Sequence, residues 1–311
     1  MPIKKSKLRL DRVLGDVDKW ATDIWPPYGW LDKYLAGEPE RPGLAADDLY
    51  AFGMQKCAQS LLDVKQGDLV DAIGNMASGF ARRAVAKSVI IEGLKGTRRI
   101  AIGDLDGFSN LMFGCIATGR PDVAKVLYGA VVAGLGGGYG VNDGHNLEIG
   151  TTLRYAGFGM SIISDWLERP LDLDKHALPR DPAWGPLVSL WRDPDPGTLL
   201  AALLSACDTH VERIGLTERE CDSGNFEFDT PLQAVHPTEI LAVLRLRDLL
   251  GLPNPAQIDH PLMQTPYARI TCLPEFLTSR NHRDELLERF LDTVRRRDPG
   301  VLPPGLQRTG S

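Results

Sequence analysis

Four groupings of residues have types and spacings that invite chemistry. The stretch GDLDGFSN presents Asp104 and Asp106 ahead of Gly107, the alternation by which a calcium loop offers oxygen ligands. Counted from Asp104, the twelfth position is Cys115 instead of the bidentate Glu such a loop requires, so the pair reads as the solvated start of a helix. In VNDGHN, Asp143 and His145 are spaced to serve as acid and base, but Asn, Asp and Gly are also ordinary turn formers. Cys207 and His210 lie three apart on a helical pattern, with Cys221 and His236 following, so four side chains able to ligate zinc fall within thirty residues. Only the first pair is compact, and Cys207 sits on an apolar stripe where it packs as a small hydrophobe. The Gly-rich run from Gly134 to Gly144 suggests a phosphate cradle. A dinucleotide fingerprint placed on Gly134 and Gly136 would need glycine where Tyr139 stands, and no GK[ST] occurs, so the run reads as an interhelical turn. From these patterns no metal and no cofactor is expected.

The elements that must position these residues are helices. Helical periodicity dominates, and clean alternation of apolar and polar residues is almost absent, which predicts a mainly α fold: a multi-helix array of antiparallel pairs with little or no sheet. A first helix is predicted over residues 7–22, ending at WPPYGW, where Pro26 and Pro27 forbid helical hydrogen bonds and three aromatics are expected to cover a core edge. Helices resume near Ala45, with a pair predicted on either side of Gly67, the second running over 68–92. Further helices are predicted at 120–134, 146–168, 198–214, 237–250 and from Asp284 to Arg297, where acids at the start and arginines at the end suit the helix dipole. A Pro- and Asp-rich stretch over 170–197, pinned by Trp184 and Trp191, is the expected connection between an N-terminal lobe (1–169) and a C-terminal lobe (198–311), which can also pack as one domain.

Length and composition narrow the class. At 311 residues with 43 % hydrophobic and 24 % charged residues, the chain has the makings of a globular core, which excludes disorder and fibrous repeats. A net charge of −6 argues against a general nucleic-acid binder. Five cysteines, an odd number spread along the chain, suit a reducing compartment, and acids interrupt the start where a signal peptide would be apolar. The longest apolar run, 126–135, is about half of what a membrane helix needs. A cytoplasmic protein with no membrane contact is expected.

The charge is not spread evenly. Between Asp208 and Glu239, eight carboxylates face only Arg213 and Arg219, a local net charge equal to that of the whole chain. Its centre, TERECDSGNFEFDTP, lacks helical periodicity and reads as an exposed loop combining charge with aromatic anchors. Glu218, Glu220, Asp222, Phe226, Glu227, Phe228 and Asp229 are therefore the candidate partner-binding residues, suited to a cationic protein.

The segment HPTEILAVLRLRDLLGLPNPAQIDHPLM, residues 236–263, together with the helical N-terminal part and the acidic loop, resembles helical immunity proteins of bacterial polymorphic-toxin and type VI secretion systems. That resemblance implies a cytosolic, non-enzymatic antidote that binds and blocks a cognate toxin. For a nuclease toxin with a basic substrate groove, carboxylates of the antidote take the place of phosphates. Two other classes compete with this reading. One is an α-helical hydrolase using Asp104, Asp106, Asp143 and His145, which requires those residues to converge; the other is a helical adaptor with a solenoid-like groove.

Overall fold

A computed structural model describes residues 3–96, 104–137, 153–223, 225–272 and 284–307. Among them are thirteen α-helices and four short 3-10 turns, with no strand and one isolated bridge, so the fold is mainly α as expected. The dominant unit is a hairpin of α3 (Pro42–Gln66) and α4 (Leu69–Gly93). Gly67 ends α3 at φ 94°, a left-handed conformation that costs glycine least, and the amide of Asp68 returns to the Asp63 carbonyl. The two helices cross at glycines. A Cβ on Gly53 would meet the Gly79 carbonyl at 2.8 Å, and one on Gly79 would meet the Gly53 carbonyl at 2.8 Å and Cys57 Sγ at 2.5 Å, so the backbones approach as closely as they can.

α5 (Asp104–Ala117) lies at the centre. It packs on α4, on α6 (Pro121–Gly136), on α7 (Arg154–Trp166) and on α12 (Thr238–Leu249), and nearly every residue from Leu105 to Ala117 is buried. Burial on all sides explains why α5 and α12 carry no clear polar face. The 170–197 connection holds α8 (Gly185–Leu190) and is pinned as expected: Trp184 stacks on Phe158 with centroids 4.6 Å apart, and Trp191 donates to Asp165 at 2.9 Å. Arg247, an interruption in the apolar pattern of α12, is fully buried, its guanidinium donating to the carbonyls of Trp191 and Asp193 at 2.7 Å and of Pro253.

The core does not divide at that connection. α1 (Ile3–Thr22) packs on α3, on α9 (Pro196–Glu212) and on α11 (Pro231–Val235), and one buried apolar cluster runs from Leu10 to Leu302. The chain closes through α13 (Glu285–Arg297), whose arginine-rich end returns to the N-terminal half. Arg297 donates to the Tyr34 and Glu38 carbonyls, fastening α13 beside α2 (Trp30–Leu35). The aromatic turn before α2 departs from expectation: Trp25 and Tyr28 face solvent, and only Trp30 is partly covered. No helix among the described residues is long and apolar enough to cross a membrane.

Candidate functional site

The acidic segment begins where α9 ends. At Arg213 the chain leaves the helix, and the Phe228 amide donates to the Arg213 carbonyl at 3.3 Å while the Gly215 amide donates to the Phe228 carbonyl at 2.9 Å. These bonds bring the two ends of the 215–227 stretch side by side. Within it α10 (Glu218–Cys221) is capped by Thr217, and after it Thr230 and Gln233 form a capping box that starts α11. The segment read as a loop is one, with a single four-residue helix, Glu218–Cys221, inside it and α11 starting at its last residue, Pro231.

This architecture sorts the seven candidate residues. Phe228 is in the core, 1 % exposed, stacked on His210 at 3.9 Å and edge-on to Tyr155 and Trp184. Glu227 is turned inward on Arg213 at 2.7 Å, and Asp181 meets the same guanidinium from the other side at 2.5 Å. Burial raises the Glu227 carboxyl, with Arg213 opposing that rise. Glu220 receives both terminal nitrogens of Arg9, at 2.8 and 3.0 Å, and the Leu216 amide at 2.8 Å. The Arg9 bonds and that amide hold its carboxyl down at about 2. Phe226 lies half-buried under Arg9, whose guanidinium carbon is 4.9 Å from the ring centroid. As partner contacts, Phe228, Glu227 and Glu220 are corrected to structural roles.

Glu218, Asp222 and Asp229 remain solvent-facing, and the structure adds Asp16 from α1. All four line one groove of about 410 Å³, with Val13, Leu216, Pro231 and Ala234 supplying apolar walls and no cationic side chain among the lining residues. Burial raises the Asp229 carboxyl above its ordinary range although solvent reaches it. Cys221, also on the wall, has its thiol raised by burial and then by Asp229 and Asp222, so it is held protonated and is a poor nucleophile. Asp16 was missed because it belongs to the first helix, some two hundred residues from the rest.

Beneath the groove lies a second polar centre. His210 and Glu239, both fully buried, meet at 2.6 Å between Nδ1 and Oε1. The other ring nitrogen faces the Ala234 carbonyl at 3.0 Å, and since a carbonyl only accepts, Nε2 carries the proton. Tyr155 donates to Glu239 at 3.3 Å, and Asn110 donates to Thr238 at 3.0 Å. His236 directs Nδ1 to the Tyr267 carbonyl at 3.1 Å, leaves Nε2 without a partner, and is pushed down to about 4 by burial. Of the four zinc candidates, His210 has both ring nitrogens engaged, Cys207 is buried with its thiol raised by burial, Cys221 lies on the groove wall, and His236 is buried. Among the described residues, no three His, Cys, Asp or Glu side chains are grouped to hold a metal ion.

Of the hydrolase candidates, the described structure places only Asp104 and Asp106. Asp104 opens α5. Asp106 is not solvated as expected: it accepts the Ala156 amide at 2.6 Å, capping the first turn of α7 from a neighbouring helix, and burial pushes its carboxyl up to about 8. Asp143 and His145 lie outside the described residues. Compared with protein-family models, curated proteins and solved structures, the chain matches none.

Proposed function

We propose that this chain is an immunity protein, a non-enzymatic antidote that binds a basic toxin of nuclease type and blocks access to its substrate groove. The observation that carries the reading is the convergence of Asp16, Glu218, Asp222 and Asp229 on one groove whose lining holds no cation. Such a concentration of like charge destabilises the folded chain through self-repulsion and lowers the free energy of a complex with a basic surface. The apolar walls provide contact area for the aliphatic stems of lysine and arginine, whose charged heads reach the rim. The internal ion pairs Arg9–Glu220 and Arg213–Glu227 fix the loop that carries two of the four acids, Glu218 and Asp222, so little ordering is left for the moment of binding.

The test is genetic and biochemical. Deleting the gene should make cells susceptible to toxin delivered by their siblings, and the tagged protein purified from its host at low salt should carry one stoichiometric basic partner. Complementation with the Asp16→Asn, Glu218→Gln, Asp222→Asn, Asp229→Asn variant should fail to protect. Full protection by that variant would exclude the groove as the contact, and a deletion without intoxication or partner would exclude an antidote role.

A further inference from the structure

The turn after α1 serves neither the groove nor the core. Trp25 is 82 % exposed and Tyr28 73 %. Single apolar side chains on a surface are ordinary, but the construction of this turn is not. Pro26 and Pro27 fix two φ angles, and Asp48, wholly buried on α3, accepts the Tyr28 amide at 2.7 Å and the Leu31 amide at 3.0 Å, so a buried carboxyl group is committed to holding a surface turn. Tyr28 stacks on Trp30 with centroids 4.4 Å apart, which leaves its other face outward. The backbone of the turn and the Tyr28 ring are set before any partner arrives, so docking there orders little more than the Trp25 side chain.

Charge decides what they receive. From residue 16 to residue 40 the acids Asp16, Asp18, Asp23, Asp32, Glu38 and Glu40 outnumber Lys19 and Lys33, and only Asp18 has a lysine partner, Lys65 at 2.6 Å. Asp16 on the groove wall and Asp23 at the foot of the turn are seven positions apart, and the Asp23 amide still bonds to Lys19 in helical fashion. That spacing returns to the same side of a helix about 10 Å further along its axis, so groove and turn fit within one interface of ordinary size.

We propose that Trp25 and Tyr28 form a second anchor for the basic partner assigned above, and that they receive arginine in preference to lysine, because the planar guanidinium stacks on an aromatic face in addition to the attraction any cation has for it. The proposal takes the partner's basic character from the groove reading, while its arginine preference is tested independently. Deca-arginine and deca-lysine peptides are titrated calorimetrically into the full chain, the Trp25→Ala, Tyr28→Ala variant and the four-carboxylate variant, with thermal unfolding checking that each remains folded. The native chain should bind deca-arginine several-fold more tightly than deca-lysine. The turn variant should lose about tenfold for deca-arginine and lose the preference, and the carboxylate variant should weaken both peptides alike. Unchanged affinity of the turn variant would overturn the anchor. Loss at the turn with none at the carboxylates would overturn the groove reading and keep the anchor. A Trp25-dependent dimer in sedimentation would assign the turn to a second copy of the chain and overturn the proposal.

Discussion

Glu218 and Glu239 come from the same acid-rich stretch and meet opposite fates. Glu239 is enclosed in the core, with one oxygen on His210 and the other receiving Tyr155. Glu218 has no such partners and stands on a groove open to water. The difference teaches that a run of carboxylates is not one feature. Those near a buried or half-buried cation or a histidine become structure, as Glu220 does on Arg9 and Glu227 on Arg213. What is left over, together with an acid from a distant helix, makes the surface potential.

The comparison breaks most sharply at Glu239. Replacing it with Ala strands His210 Nδ1 in a dry core and leaves the Tyr155 hydroxyl with its 3.5 Å contact to Thr238, and should cost about 3–5 kcal/mol in urea unfolding. A loss below 1 kcal/mol would mean that the inner centre is not structural. His236 gives the next effect. It is held neutral down to about pH 4 in the fold but protonates near 6.5 when unfolded. The unfolded chain therefore binds the extra proton first, and stability should fall as pH drops from 6.5 toward 4, by at most about 3 kcal/mol. His236→Gln should flatten that slope, measured as the difference in Tm between the two pH values.

Asp106 has the opposite sign. Protonated in the fold up to about pH 8 and ionised from about 3.8 when unfolded, it contributes stability at low pH that is lost as pH rises between those values. Asp106→Asn keeps an oxygen for the Ala156 amide and removes the titration, so it should match the native chain at pH 4 and become increasingly more stable than it as pH rises to 9, measured by urea unfolding at both values. The smallest effects belong to the outer set. Glu218→Gln or Asp222→Asn should move stability by less than about 0.5 kcal/mol, and stability loss as large as that of Glu239→Ala would erase the distinction between the two sets.

Much of the fold is legible in the sequence because its long helices are punctuated locally. Gly67 ends α3, Pro196 and Asp195 start α9, and Asp284 with Arg295 to Arg297 brackets α13, each within a few residues of the predicted limits. The short α2, α10 and α11 escape, since four to six residues cannot display a period. The groove is only half legible. Clustered acids point to the segment, but which of them face outward depends on Arg9 and Asp181, far away in sequence and joined to it only by folding. Phe228 reads as an anchor beside Phe226, and only the bridge between Ile214 and Phe228 turns its ring inward. The buried His210–Glu239 pair has no local signature at all, because its members come from different helices.

The link between Arg9 and Glu220 also ties the protein's competence to the order in which it is made. One wall of the groove leaves the ribosome with the first helix and the other follows some two hundred residues later. At 5–20 residues per second that is an interval of roughly 10–40 s. Until it has passed, a nascent chain holds one wall of the groove only, and no amino-terminal fragment, however well folded, can assemble its acidic lining.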